Sequence, residues 1–327
     1  MYFLERGFEW SKTLITYEEA TKRALNQKRQ PGQADLRTPE GVRESVSDCT
    51  YDNSSLYAHN DNHIDLRTPN DEKRGVITFF FCTLGGMLAW AGITTIWMAV
   101  SDLLYPKTSI DWEFYIFGLI LSPLTANIAL YLFLRYAIKH LRLESFTARR
   151  IIVRFNRITR KVYLLRPKHL GGIRIMDWDK TEIIVDKNMS ELDGTGGYVI
   201  LGWEKGDGMD LHGTPTENIE LTFIGKPTRN ASELLAFWEY IRRYMEDGPA
   251  AAPAPEKLIC KFPWPWLSLK AAWGLDTSFL RQRELRIFVL LNLLLWPVIL
   301  IHATGHWLSL LLCYEPRFPK VIEEAGR

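Results

Sequence analysis

The strongest constraint on this chain is the stretch from Gly75 to Arg135: an apolar run, a short polar break and a second apolar run. No charged side chain occurs from Gly75 to Ser101, nor from Phe114 to Leu134. A bilayer core of about 30 Å is crossed by roughly 20 apolar helical residues, so each run is long enough to span it. The break, Asp102 to Glu113, holds Pro106, with Tyr105 and Trp112 where interfacial aromatics are expected. Buried helices of soluble bundles are usually shorter and keep a polar stripe. Here Gly85, Gly86, Ala89, Ala91 and Gly92 provide the small side chains that close helix contact in lipid requires. The pattern predicts a transmembrane helical hairpin over 75–135.

Basic residues near the helix ends set its orientation. Lys73 and Arg74 precede the first run, and Arg135, Lys139, Arg142, Arg149 and Arg150 follow the second. The connecting break has Lys107 against Asp102, Asp111 and Glu113. By the positive-inside rule both polar flanks are cytoplasmic, as expected of a multi-pass protein of an inner membrane. The first apolar run begins only at residue 75, so the hairpin itself would act as the insertion signal.

The net charge of +2 over 327 residues gives no global field for nucleic acid. Cys49, Cys82, Cys260 and Cys313 form no CxxC pair, so neither a zinc site nor a disulfide framework is expected.

Residues 1–74 read as an irregular cytoplasmic arm. A helix over Thr16–Asn26, capped by Thr16 with Glu19 at capping-box distance, is its one periodic piece. Asp35-Leu-Arg-Thr-Pro39 recurs as Asp65-Leu-Arg-Thr-Pro69, which reads either as two similar turns or as coincidence in a flexible arm. His59 and His63, with Asp61 and Asp65, carry metal-ligating side chains, but nothing in the arm's composition suggests the rigid scaffold that a metal needs.

Residues 143–248 read as a compact α+β domain. Strands are expected at 151–155, 161–166, 172–178, 181–185, 197–203 and 218–224, separated by breakers such as Asp193-Gly194 and Gly206-Asp207-Gly208. Leu234, Leu235, Trp238, Ile241 and Met245 then share one face of a helix over 231–247, capped by Asn230 or Ser232 and stopped by Gly248-Pro249. Gly206-Asp-Gly-Met-Asp210 lacks the later ligands of a calcium loop and reads as a hairpin turn, with His212 a solvated loop residue.

Short antiparallel strands closed by a C-terminal helix resemble the pleckstrin-homology-like (PH-like) fold, an antiparallel barrel or sandwich. The wording narrows this: Val153-Arg-Phe-Asn-Arg157, Lys161-Val-Tyr163, Asp177-Trp-Asp179 and Phe237-Trp-Glu-Tyr-Ile-Arg-Arg-Tyr-Met-Glu-Asp-Gly-Pro249. With two preceding membrane helices, these segments resemble bacterial inner-membrane proteins of the DUF6708 type. Members of that type are often encoded near type VI secretion and Rhs-type toxin genes. The resemblance implies an immunity or accessory role with a secreted toxin or secretion-associated protein as partner, and no catalytic residues.

Lys161, Arg166, Lys168 and Arg174 give the first strands a basic character, making them the expected contacts for lipid headgroups. Each charge beside an anionic leaflet is worth about 1 kcal/mol, so simple juxtamembrane attraction accounts for them without a specific pocket. Residues 249–286 form a proline-rich linker leading into Phe262-Pro-Trp-Pro-Trp-Leu267, which reads as an interfacial segment or as packing against the domain. A third apolar run, 287–314, is long enough to cross once, leaving the tail 315–327 outside; a re-entrant pair of half-helices, broken at Pro297 and Gly305, is the alternative. His302 and His306 share a face of that run and are its candidate polar site at membrane depth. They lack the glutamate of a zincin motif.

No P-loop, nucleophile elbow, dinucleotide fingerprint or paired-carboxylate pattern occurs. The expectation is a non-enzymatic membrane protein, needing no cofactor or metal, that contacts lipid and binds a protein partner. The alternative is a membrane-tethered lipid-sensing or scaffolding module.

Overall fold

The computed structural model describes residues 2–14, 19, 41–69, 74–105, 115–185, 197–228, 230–273 and 295–326. They divide into a sheet unit, drawn from Tyr2–Glu72, Ala148–Phe262 and Tyr314–Arg327, and a helical unit, drawn from Lys73–Thr147 and Pro263–Cys313. In chain order the elements begin with α1 (Phe3–Leu14), β1 (Leu56–His59), β2 (His63–Arg67), α2 (Val76–Leu104) and α3 (Ser122–Leu141). Strands β3 (Ile152–Asn156), β4 (Lys161–Leu165), β5 (Arg174–Asp177), β6 (Glu182–Ile184), β7 (Gly197–Trp203), β8 (Gly208–Asp210) and β9 (Glu220–Thr228) follow. Helices α4 (Ala231–Glu246), α5 (Pro265–Trp273), α6 (Trp296–Leu311) and α7 (Lys320–Glu323) complete the chain.

The sheet unit holds two antiparallel sheets, one of six strands in the order β1-β2-β3-β4-β5-β8 and one of three in the order β6-β7-β9. Among the described residues they do not close into a barrel, so the fold is α+β with open antiparallel sheets. The expected strands and the helix α4 are present. What differs is the arm: 56–67, expected to be irregular, is the β1–β2 hairpin, and β2 pairs with β3 in the register Leu66↔Val153 and Ile64↔Phe155. The physical reason is alternation: Ile64 and Leu66 enter the core while Asp65 and Arg67 occupy the other face. The helix expected over Thr16–Asn26 and the first Asp-Leu-Arg-Thr-Pro copy lie outside the described residues, apart from Glu19.

The core lies between the sheets and α4. Trp178 stacks on Trp238 with ring centroids 5.5 Å apart and meets Phe155 edge-on at 5.9 Å. Helix α4 starts where the Asn230 side chain accepts from the Ser232 amide at 2.9 Å, and ends before Gly248, whose φ of +93° only glycine adopts freely. Its Glu239 accepts from Arg242, Arg243, Ser45 Oγ and the Val46 amide, which ties the 45–48 stretch to the helix. Burial alone would raise the Glu239 carboxyl, but these donors overcome it and hold the group down to about 2.

In the helical unit two stretches are long and apolar enough to cross a membrane: α2, and α3 together with the π-helical turn Tyr115–Leu121 that leads into it. They are not core helices: their large side chains face outward, with Trp90 70 % and Trp97 71 % exposed. Thr94, Thr95 and Thr125 donate to carbonyls one turn back, so their hydroxyls need no water. Of the predicted small residues, Gly85 lies against Phe133 of α3 and Gly92 against Asn127, while Gly86 faces open space.

The third run corrects the single-crossing expectation. Its described helix, α6, has 16 residues, about 24 Å at 1.5 Å per residue, which is less than the hydrocarbon core. The chain then returns to the sheet unit: Tyr314 bridges Ala148, and Phe318 and Ile322 are buried against sheet residues. A third membrane-crossing helix is therefore not supported.

Candidate functional site

The four basic residues expected at headgroups do not converge on an open site. Lys161 pairs with Asp177 at 3.2 Å across β4 and β5. Arg166 is buried and donates to Glu220 Oε2 at 2.7 Å; Lys12 of α1 donates to Oε1 at 2.8 Å, and Arg174 Nε lies 3.6 Å away. Burial alone would raise the Glu220 carboxyl, but Arg166 and Lys12 outweigh it and hold the group below the usual range. Lys168 is exposed on a short turn of 3₁₀-helix. Three of the four cations thus have carboxylate partners inside the unit.

The arm histidines do not gather either. His59 Nε2 lies 2.9 Å from the Ala252 carbonyl with its ring edge-on to Tyr244, His63 meets Asn60, and Asp65 is bound to Arg154. Among the described residues, no cluster of three His, Cys, Asp or Glu side chains could hold a metal. The 206–210 stretch, expected as a hairpin turn, instead supplies β8, which pairs with β5, and the turn follows it: Asp210 accepts from the amides of His212 and Thr214.

Two of the segments that carry the family resemblance meet in the fold. Trp178 of Asp177-Trp-Asp179 donates its indole N–H to Glu246 at 2.7 Å, and Arg160 bridges Asp179 and Glu246. Trp203 donates to the Asp177 carbonyl. These residues lock the β5 turn to the end of α4.

The polar concentration of the helical unit lies where α2, α3 and α6 meet. Glu144, just beyond α3, is fully buried, and its Oε2 accepts from the amide and hydroxyl of Thr78 at 2.9 and 3.0 Å. Its carbonyl accepts from Arg74, Ser309 and Cys313. Ser145 Oγ meets Thr78 Oγ1 at 2.8 Å. The two predicted histidines border this cluster: His302 Nε2 lies 3.1 Å from the Arg74 carbonyl, and His306 Nδ1 lies 2.8 Å from Ser268 Oγ. A hydrogen-bonded serine and histidine can act as nucleophile and base. Here Ser268 is fully buried in the α5–α6 contact, where the pair acts as a clamp between helices. Sequence reasoning found the histidines but missed Arg74, Thr78, Ser145, Ser268, Ser309, Cys313 and Glu144. One signal was available: Glu144 is the lone acid between Glu113 and Asp177, a stretch otherwise rich in Arg and Lys.

Two glycines let this junction close. A Cβ on Gly305 would collide with the Gly75 carbonyl and come within 2.8 Å of Phe79 Cβ; one on Gly75 would strike the backbone at His306. Gly305→Ala is expected to cost about 1–3 kcal/mol through overpacking, read as a lower melting temperature in detergent. Gly86→Ala, with nothing within 4 Å of the added methyl, should leave that temperature unchanged or slightly higher.

A family described as a family of unknown function (DUF6708) matches residues 130–327. That match covers the second part of α3, the strands from β3 onward, and the helices after them. No curated protein and no solved structure matches the chain.

Proposed function

The chain belongs to the DUF6708 family, and from that premise we propose that it is a non-catalytic, membrane-anchored protein whose sheet unit binds a protein partner. The observation that carries the anchoring is the outward apolar surface of α2 and α3, which water would not tolerate over such an area and lipid would. Multi-pass insertion, with both polar flanks cytoplasmic, follows from the distribution of Lys and Arg. The binding role is favoured by the state of the ionisable groups. Arg166, Arg174, Asp65, Arg154, Glu239 and Arg160 are engaged in ion pairs that brace the fold. The specific form of this reading is an immunity or accessory protein that neutralises a secreted toxin, as the family resemblance implies.

The lipid-sensing alternative is less favoured because its expected PH-like basic face is largely paired with acids. The test is co-purification of the tagged chain in mild detergent after brief crosslinking in its host. One near-stoichiometric polypeptide is expected. Phospholipid alone, lost on Lys168→Glu, would overturn the reading in favour of the lipid sensor. Lys168 is the informative position because reversing Arg166 would place two buried carboxylates together.

A further inference from the structure

Antiparallel sheets commonly bury one face and leave the other to water. The six-stranded sheet buries both. Its inner face carries Val153, Phe155, Val162 and Leu164 into the core. Its outer face carries Tyr57, Ile152, Tyr163 and Leu165, alternating with those residues along the same strands. Most of what covers the outer face comes from the 315–326 segment: Phe318 and Ile322 are buried on it, with 7 % and 2 % exposure, and Ile259 packs beside them.

The cover is thin and specific. Register places Asp65, Arg154, Tyr163 and Ile175 in one row across β2, β3, β4 and β5. The Arg154 guanidinium lies over the Phe318 ring at 4.0 Å. Three residues before Phe318, Glu315 accepts from Arg149 and Arg150 at 3.1 and 3.2 Å. Arg150 in turn sits over Tyr57. Val321 is 78 % exposed and is not read by the face. Near the chain's end, the Ala325 carbonyl accepts from Asn156. The face therefore recognises an acid, an aromatic three residues on, and an aliphatic four residues beyond that.

We propose that the outer face of the six-stranded sheet is a docking groove for a protein segment of the pattern Glu-x-x-Phe-x-x-x-Ile, and that residues 315–326 are its resident occupant. A partner presenting that pattern displaces the tail and takes its place. Charge complementarity chooses the acid end, where Arg149 and Arg150 stand, and the Arg154–Phe318 stack chooses the aromatic. The tail is tethered and so competes at high effective concentration, which keeps the groove closed until a partner of better fit arrives. This inference rests on the partner-binding reading above and names its surface.

The experiment uses the full chain in mild detergent with a protease site inserted between Tyr314 and Glu315. After cleavage, a fluorescent peptide of residues 315–326 is expected to exchange into the groove, raising its anisotropy. The same peptide carrying Phe318→Ala should bind at least about thirtyfold more weakly, the loss expected for one buried aromatic. Uncleaved protein should bind the wild-type peptide at least about tenfold more weakly than cleaved protein, because its own tail competes. Absence of exchange, equal binding of the two peptides, or equal binding before and after cleavage would overturn the groove. If the insertion prevents folding, Phe318→Ala in the unmodified chain replaces it: the weakened tail should let the full chain bind the wild-type peptide, and no gain in binding overturns the proposal. The two readings fail separately. Absence of exchange with a partner still co-purifying removes only the groove, whereas exchange without any co-purifying partner removes the partner-binding role.

Discussion

Asp65→Ala is expected to destabilise the sheet unit by about 3–5 kcal/mol, because it strands the Arg154 guanidinium in a buried site. Arg154 Nε and Nη2 donate to the two Asp65 oxygens at 2.7 and 2.9 Å, a bidentate pair joining β2 to β3. Both side chains are nearly inaccessible beneath the tail. Melting followed by tryptophan fluorescence in detergent reads the loss. The control is the double variant Asp65→Ala with Arg154→Leu, which removes the orphaned charge and should recover much of the stability. If Asp65→Ala melts with the wild type, the pair does not hold β2 in the sheet.

Trp178→Ala should cost a comparable 3–5 kcal/mol, the range for emptying a large buried aromatic site. The indole is fully buried between Trp238 and Phe155, and its N–H bond to Glu246 fixes the end of α4. Trp178→Phe keeps much of the packing but leaves Glu246 to Arg160 alone, so an intermediate loss is expected. The two variants separate ring packing from the hydrogen bond. A Phe variant as unstable as the Ala variant would assign the effect to the bond.

Much of the fold could be read from the sequence because most elements carry their own local signal. β7 begins and ends where its pattern predicts, and α4 starts at the predicted Asn230 cap. The β1–β2 hairpin escaped because its outward residues are polar: His63, Asp65 and Arg67 read as arm composition. Asp65 and Arg67 are buried only because segments far along the chain lie against them: β3 pairs with β2, and Arg154, bound to Asp65, lies over Phe318 of the tail. Asn60-Asp61-Asn62 marked the turn, but a turn needs flanking strands whose partners are visible. β8, of three residues, is too short to announce itself. At the candidate site, polarity in an apolar run pointed to His302 and His306, yet Arg74 read only as a flanking charge and Glu144 carried no pattern of its own. Their burial depends on the meeting of three chain junctions, which no local pattern encodes. The same blindness applies to the basic residues: Arg166 looked available because Glu220, its partner, follows it by 54 positions.

The order in which the ribosome delivers the six-stranded sheet has a cost of its own. β1 and β2 are made first, then the two apolar helices, and only afterward β3, the strand that β2 pairs with. At 5–20 residues per second the wait is on the order of ten seconds. Throughout it the hairpin carries an unpaired edge of the kind that seeds wrong associations. The outer face stays bare longer still, since Phe318 and Ile322 follow every strand of the sheet along the chain. Membrane insertion of the helices is thus an event inside the folding of the sheet, and a chain stopped at Tyr314 would leave the ribosome with that face uncovered.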